Sequence, residues 1–254
     1  MLATYGRAVE RLGGNYVTAE DVGMAVDDLV AIAGETRFVA GLPVGEGQVG
    51  GDPGPHTSYG VYLGVRAAAK RALGRDSLKG LHLAIQGAGS VAGGLARRAA
   101  EDGARISIAD INAARAQALA EEVGGSVVAP EAILSLEADI LSPNALGAIL
   151  DERTIPGLRA PVVAGGANNQ LATPEDGDRV QQRGILYAPD YVINAGGIIN
   201  VSTEYLGDGD ESLVRERIEA IPGRLERIWD ESAATGRNPA AVAGDMARRL
   251  IGRA

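Results

Sequence analysis

The sequence predicts an α/β fold with a doubly wound parallel sheet, and three observations support this prediction. From Leu78 onward, short apolar runs alternate with stretches of helical periodicity, a pattern typical of parallel strands buried between helices. A glycine-rich segment joins the first of these runs to a helix. Because 46% of the 254 residues are hydrophobic, the chain can bury the core that such a sheet requires.

The elements before the sheet are shorter and more mixed. Residues 1–40 combine short helical and strand-like pieces, and the Gly- and Pro-rich stretch 41–56 predicts a loop. The segment Thr57–Leu73 carries apolar residues on one face, which predicts a helix with Thr57 as its N-cap.

The alternating region predicts six strands with helices between them. The clearest helices are Ser90–Glu101 and Ala113–Val123. The strands are Leu81–Gln86, Arg105–Ala109, Ser126–Val128, Ala138–Leu141, Pro161–Ala164 and Ile185–Ala188. The tail, 211–254, predicts two helices separated near Gly236 and Pro239.

Composition and charge exclude several classes of protein. The net charge of 24 − 33 = −9 disfavours nucleic acid as a partner, because phosphates require a basic surface. There is no cysteine, and His56 and His82 stand apart, so we expect no metal. No apolar run approaches the roughly 18 residues that span a bilayer, and the first residues lack a signal-peptide pattern. We therefore expect a cytoplasmic protein without a membrane partner.

The glycine-rich segment "GAGSVA", which begins at Gly87, fits the pattern G-x-G-x-x-G/A between a strand and a helix. Gly87 permits a tight turn, and Gly89 lets the backbone approach a diphosphate. Ser90 and Val91 open the helix, whose free N–H groups and dipole favour an anion. The pattern predicts a dinucleotide site of the Rossmann type, although an ordinary strand-to-helix turn is the alternative.

Asp110 ends the next predicted strand, and it decides which dinucleotide is expected. A carboxylate there can accept from both ribose hydroxyls and would repel a 2′-phosphate, which favours NAD over NADP. The alternative is that Asp110 is an ordinary helix N-cap. Since the sequence has no G-K-[ST] phosphate loop, redox chemistry is favoured over phosphate transfer.

Four further segments resemble the glutamate/leucine/phenylalanine/valine dehydrogenase family, most closely its leucine, valine and phenylalanine branch. They are "GGNYVTAEDVG" (13–23), "DPGPHTSYGVYLG" (52–64), "AGGANNQL" (164–171) and "APDYVINAGGIINV" (188–201). The resemblance implies a substrate domain, here truncated (1–56), a Rossmann-type NAD domain (57–205), and C-terminal helices that pack back across the cleft (206–254). It also implies an NAD-dependent oxidoreductase that moves hydride between NAD(H) and the α-carbon of an amino acid or imine.

The resemblance assigns a catalytic role to Asp21, which matches the family's acid–base aspartate; a carboxylate suits that proton transfer. The alternative is a cap at a helix start. Thr57 matches a residue that hydrogen-bonds the nicotinamide carboxamide.

Amide side chains are implied to approach the nicotinamide and the substrate. Asn168 is assigned to the substrate and Asn169 and Asn194 to the cofactor, because an amide donates and accepts without titrating; an Asn-Asn turn is the alternative. Asn144 is implied to lie near the nicotinamide ribose, where relatives often carry a small thiol or hydroxyl residue.

Ala19, Ile198 and Val201 match positions that line the family's substrate side-chain pocket. All three are apolar, which implies a substrate with a nonpolar side chain. Their alternative interpretation is plain core packing.

The family's substrate domain begins earlier and carries two catalytic lysines, whereas the lysines of this sequence, Lys70 and Lys79, match neither. We therefore expect an N-terminally truncated member that lacks the lysine segment. The alternatives are an impaired NAD-binding pseudoenzyme and a partner subunit whose lysines come from another chain. Full-length relatives are implied to oligomerise, so a homo-oligomer is expected.

Overall fold

The computed structural model describes residues 1–20, 24–43, 49–207 and 210–253, and they form two compact units. Unit 1 consists of Met1–His56 and Gly196–Ile218, and unit 2 consists of Thr57–Ala195 and Glu219–Ala254. Residues 196–218 thus belong to the same unit as the first residues of the chain. The substrate, Rossmann and C-terminal ranges given above remain predictions.

Unit 2 contains a six-stranded parallel sheet with the order β3-β2-β1-β4-β5-β6. Its strands are β1 (His82–Gln86), β2 (Arg105–Ala109), β3 (Ser126–Val127), β4 (Ile140–Pro143), β5 (Val162–Val163) and β6 (Leu186–Tyr187). Each predicted apolar run contributes one strand, which confirms the predicted α/β fold. The strand order reverses between β1 and β4, and ligands of open α/β sheets bind beside such a reversal.

Helices account for most of the remaining structure. In chain order they are α1 (Leu2–Arg11), α2 (Val26–Ala33), α3 (Gly54–Leu73), α4 (Ser90–Glu101), α5 (Ala113–Val123), α6 (Pro174–Gln182), α7 (Asp190–Ile193), α8 (Gly196–Leu206), α9 (Glu211–Glu219), α10 (Ile221–Thr235) and α11 (Pro239–Leu250). Two short 3-10 helices lie at Ile133–Ser135 and Ile155–Gly157. The bounds of α4 and α5 are those predicted from the sequence.

Two predicted helix boundaries are wrong. Thr57 is not an N-cap, because α3 already begins at Gly54, whose N–H is bound by the Asp52 carboxylate at 2.7 Å. The tail forms three helices rather than two, because a new helix starts at Ile221 with Pro222 in its first turn. Proline favours such a start, since the first N–H groups of a helix have no partner within it.

The core of unit 2 lies on the sheet. Leu83, Ile85 and Ile108 are at most 1% exposed, and burying one such side chain stabilises the fold by about 1.5–3 kcal/mol. Trp229 of α10 donates its indole N–H to the carbonyl of Tyr187 on the edge strand β6, at 2.9 Å. This contact covers an edge that would otherwise be open to pairing with another chain.

Unit 1 packs α2 around a small core formed by Leu29, Ile32 and Val39. Helix α8 joins this unit through hydrogen bonds rather than through neighbouring sequence. The Glu204 carboxylate accepts from the N–H groups of Gly41 and Leu42, at 2.7 and 3.3 Å. These contacts join α8 to the first residues of the chain within unit 1.

Candidate functional site

The turn after β1 has a conformation that only glycine adopts easily. Gly87 has φ +100°, and a Cβ atom there would lie 2.8 Å from the carbonyl oxygen of Asn144. Its N–H binds the carbonyl of Ala109 at 2.7 Å. The predicted role of Gly87 in a tight turn therefore rests on both the backbone conformation and the close approach of the loop after β4.

Gly89 is the N-cap of α4, and it presents an open face. A Cβ atom on Gly89 would meet no heavy atom of the described residues within 4 Å, and none of their side chains caps α4. By contrast, Asn112 caps α5 and Asn238 caps α11 through their side chains. The first N–H groups of α4, from Ser90 and Val91, thus lie where an anion is favoured by donors and dipole.

Asp110 ties the turn to the end of β2. Its two carboxylate oxygens accept from the N–H groups of Ala88 and Asn112, both at 2.7 Å. The alternative that Asp110 is the N-cap of α5 is wrong, because Asn112 holds that position and binds the N–H of Arg115. A carboxylate offers roughly four acceptor positions, so the half-buried Asp110 retains capacity for further donors.

The loops that follow β4 and β5 lie against each other. The side-chain N–H₂ of Asn144 donates to the carbonyl and hydroxyl oxygens of Ser142, both at 2.9 Å. Its Oδ1 accepts from the N–H of Gly166 at 2.8 Å. Asn144 therefore links the two loops.

Asn168 and Asn194 are in direct contact, since the Asn194 amide donates to Asn168 Oδ1 at 2.6 Å and to the carbonyl of Gly166 at 3.2 Å. Asn169 has φ +52°, and its carbonyl accepts from the N–H of Ala148, which has φ +57°. Such left-handed conformations cost a non-glycine residue roughly 1–2 kcal/mol. This pair of loops therefore carries backbone strain beside the predicted asparagines.

Gln170 and Ser142 are parts of this site that the sequence did not single out. Gln170 is fully buried, and its Nε2 donates to the carbonyls of Gly165 and Ala167 at 2.7 and 3.0 Å. Its own N–H binds the Asp190 carboxylate at 3.0 Å. The only sequence signal was the position of Gln170 directly after Asn168 and Asn169.

The remaining predicted residues lie on other segments of the chain. Thr57 is half-buried in the first turns of α3. In unit 1, Ala19 is half-buried, Val201 is buried, and Ile198 is 65% exposed. Asp21, the predicted acid–base residue, lies outside the described residues. Next to it in sequence, burial raises the pKa of Glu20, and the negative charge of Asp52 raises it further.

Two depressions elsewhere on unit 2 lack the features of the turn. One, of 580 Å³, lies beside Arg66, Lys70 and Glu226. The other, of 470 Å³, lies beside His82. Charged side chains pair with each other in both depressions: Lys70 with Asp76 in the first, and Arg159 with Glu137 in the second. We therefore place the candidate site at the turn and the two loops.

Within the described ranges, no group of three or more His, Asp or Glu side chains is placed to hold a metal ion. Across the same part of the chain, each helix is too short or too polar to cross a bilayer.

The reversal of strand order beside β1, the glycine turn and the carboxylate at the end of β2 define a Rossmann-type α/β fold. The sequence profile described as Glutamate/Leucine/Phenylalanine/Valine dehydrogenase matches residues 107–242. Leucine dehydrogenase from Bacillus subtilis (strain 168) is 45% identical over 96% of this chain, which spans 66% of that relative's length. The chain therefore belongs to the glutamate/leucine/phenylalanine/valine dehydrogenase family.

Solved structures agree with this assignment. The crystal structure of L-tryptophan dehydrogenase from Nostoc punctiforme matches with a TM-score of 0.83 and 36% identity, over 99% of this chain and 71% of that one. Hetero-hexameric glutamate dehydrogenase from Thermus thermophilus, in its Leu-bound form, matches with a TM-score of 0.75 and 25% identity, over 95% and 65% of the two chains.

Proposed function

We propose that the protein is an NAD-dependent oxidoreductase that transfers hydride between NAD(H) and the α-carbon of an amino acid or imine with a nonpolar side chain. The observation that carries the proposal is the N-terminus of α4 at Gly89, which follows a tight glycine turn and which no side chain of the described residues caps. Family membership supports the reaction type, since the relatives named above are amino-acid dehydrogenases.

The residues of the turn fit a dinucleotide by their chemistry. The N–H groups of Gly89, Ser90 and Val91 would hold the diphosphate, because they combine donors with the positive end of a helix dipole. Asp110 would accept the ribose hydroxyls with the acceptor positions that Ala88 and Asn112 leave available. When bound, NAD supplies the hydride acceptor.

The other predicted residues would orient the reactants. Thr57, Asn169 and Asn194 would face the nicotinamide, and Asn144 would lie near its ribose. Asn168 would bind the substrate carboxylate by donating an amide N–H. Asp21 would move protons to and from the substrate nitrogen.

The substrate side chain is expected to be nonpolar, because Ala19, Ile198 and Val201 are all apolar. We also propose that the protein assembles as an oligomer. The support for this is the likeness to a glutamate dehydrogenase that is hetero-hexameric.

The test combines a binding and a turnover measurement. Calorimetric titration should give saturable binding of NADH and much weaker binding of NADPH. Absorbance at 340 nm should then follow NAD reduction with leucine, valine, phenylalanine and tryptophan, and NADH oxidation with the matching 2-oxo acids and ammonia. Binding without turnover on any of them would reject the dehydrogenase proposal and retain an NAD site, whereas no binding would reject both.

Asp110→Asn sharpens the choice of cofactor. In this variant an amide N–H₂ replaces one of the two carboxylate oxygens. It cannot accept from the backbone N–H or the ribose hydroxyl that faced that oxygen, so we expect NADH affinity to fall about tenfold. The preference for NADH over NADPH should narrow, because the charge that repels a 2′-phosphate is gone. An unchanged preference would show that Asp110 serves only the turn.

A further inference from the structure

The loop that carries Asn168 and Asn169 is held in place by the side-chain amide of Asn144, which lies 22 residues before Gly166. Asn144 Oδ1 accepts from the N–H of Gly166 at 2.8 Å, and its Nδ2 is anchored on Ser142 by two bonds of 2.9 Å. An amide nitrogen has two protons. Both are donated to Ser142, so the orientation of the Asn144 side chain is fixed within the chain.

Gly166 also contacts two other parts of the site, the first turn of α4 and the side chain of Asn194. A Cβ atom on Gly166 would lie 2.9 Å from both Asn144 Oδ1 and Val91 Cγ1, so the loop lies flush against the first turn of α4. The carbonyl of Gly166 binds the amide of Asn194, which also holds Asn168 at 2.6 Å. A shift of the Gly166 peptide would therefore be felt by the asparagines and by the helix that follows the turn.

Backbone strain in the same loops makes such a restraint necessary. Asn169 and Ala148 both have positive φ, at +52° and +57°, and are joined by a hydrogen bond of 2.6 Å. Residues in these conformations persist only where their surroundings hold them. Gly147 leaves the required space, because a Cβ atom there would lie 2.3 Å from the carbonyl oxygen of Asn168.

We propose that Asn144 is a positioning residue: it fixes the loop 165–169 through Gly166 and thereby sets the Asn168 and Asn194 side chains for the dinucleotide and the substrate. This assigns to Asn144 an action through the loop rather than a donated bond to the cofactor ribose. The proposal rests on the proposed function, because its effect on binding requires an NAD site.

The first measurement does not need the cofactor. Amide hydrogen exchange at Gly166 is measured by NMR on the free, ¹⁵N-labelled full chain. Asn144→Ala removes the acceptor of the Gly166 N–H, so exchange there should accelerate about tenfold or more. Asn144→Asp retains an acceptor for the Gly166 N–H, but its second oxygen would face the Ser142 carbonyl, so exchange should accelerate less than in Asn144→Ala.

The second measurement is NADH affinity by calorimetry on the same variants. Asn144→Ala should raise the Kd about tenfold, and Asn144→Asp, which keeps the acceptor for the Gly166 N–H, should raise it by less. Asn168→Ala combined with Asn144→Ala should weaken binding by less than the product of the single effects, because both act through one loop.

Asn238→Ala is the matched control for a merely structural effect. Asn238 also accepts one backbone N–H, from Ala241, and donates its amide, to Asp178. Its removal should lower the melting temperature without changing NADH affinity or exchange at Gly166.

Each outcome decides between the proposals. If Asn144→Ala weakens NADH binding while Gly166 exchange is unchanged, Asn144 contacts the cofactor directly and the positioning role is overturned. Unchanged NADH affinity in Asn144→Ala overturns it as well. If the wild-type chain does not bind NADH, the proposed function fails, and the positioning role toward the cofactor fails with it. Accelerated exchange in Asn144→Ala would then show only that Asn144 stabilises the loop.

Discussion

The two edges of the six-stranded sheet use polar groups in opposite ways. At the amino edge, His82 has a partner for each of its nitrogens. Its N–H binds the Asp139 carboxylate at 2.7 Å, Nδ1 lies 3.0 Å from the carbonyl of Glu137, and Nε2 lies 2.8 Å from the hydroxyl of Ser107. The Ser107 hydroxyl in turn lies 3.1 Å from that of Ser126. These contacts join three neighbouring strands.

At the carboxyl edge, the helix that follows β1 begins without a side-chain cap, and Gly89 faces open space within the described structure. The two edges therefore differ in whether their polar groups are already bonded within the fold. Polar groups that satisfy one another stabilise the fold and leave little for a ligand. The first N–H groups of an exposed helix N-terminus can bond to water and remain available to an anionic ligand.

Of the substitutions at the two edges, Gly89→Val should have the largest effect, which is on NADH binding. The side chain would fill the space in front of the α4 donors, so NADH binding should weaken by at least about 100-fold. Stability should fall by about 1 kcal/mol or less, because nothing lies within 4 Å of the new Cβ. Gly223→Val adds the same bulk into open space on α10 and should leave NADH binding unchanged. Equal NADH affinities in the Gly89→Val and wild-type proteins would contradict the placement of the site.

Gly87→Ala should act on the fold instead. The residue has φ +100°, and its Cβ would lie 2.8 Å from the Asn144 carbonyl oxygen, so urea unfolding should show a loss of about 2–4 kcal/mol. Gly124→Ala is the matched control, because Gly124 has φ +64° with no atom within 4 Å of its Cβ. It should lose about 1 kcal/mol. Similar losses in both variants would show that the loop after β4 yields to the added methyl group.

These two glycines also show what the sequence could predict. The strand, the glycine turn, the helix and Asp110 follow one another within 30 residues. Their geometry is therefore set by local backbone conformation, which the order and spacing of the residues predict. The helices Ser90–Glu101 and Ala113–Val123 were predicted to the residue for the same reason.

Contacts between distant segments escaped the sequence patterns. The Glu204 carboxylate binds Gly41 across 163 positions, and this places 196–205 in unit 1. Likewise, Asn144 meets Gly166 only because parallel strands bring their carboxyl ends to one edge. Hydrogen bonds of this kind have no period along the chain, so neither hydrophobic patterning nor a short motif predicts them.

A smaller effect is expected at the amino edge from His82→Ala. The substitution leaves the Glu137 carbonyl and the Ser107 hydroxyl without their ring partner, so unfolding free energy should fall by about 1–2 kcal/mol. NADH affinity should not change, because the ring bonds only to the fold. Arg105→Ala, which alters an exposed side chain of the same depression, should stay within about 0.5 kcal/mol of the wild type. Weaker NADH binding in His82→Ala would contradict the view that the amino edge serves only the fold.

The smallest effect concerns pH and Asp151, in the turn after the β4 loop. Backbone N–H groups of Thr154 and Arg153, at 2.8 and 2.9 Å, lower the pKa of Asp151 to about 2. Because the pKa is lower in the folded state than the roughly 3.9 of an unfolded chain, this stabilisation is present above about pH 5 and is lost as pH falls toward 2. Asp151→Ala should therefore melt below the wild type at pH 6, by less than about 2 °C, because solvent screens this half-buried carboxylate. The difference should shrink as pH falls toward 2, and a gap that stays constant with pH would show that the side chain acts without its charge.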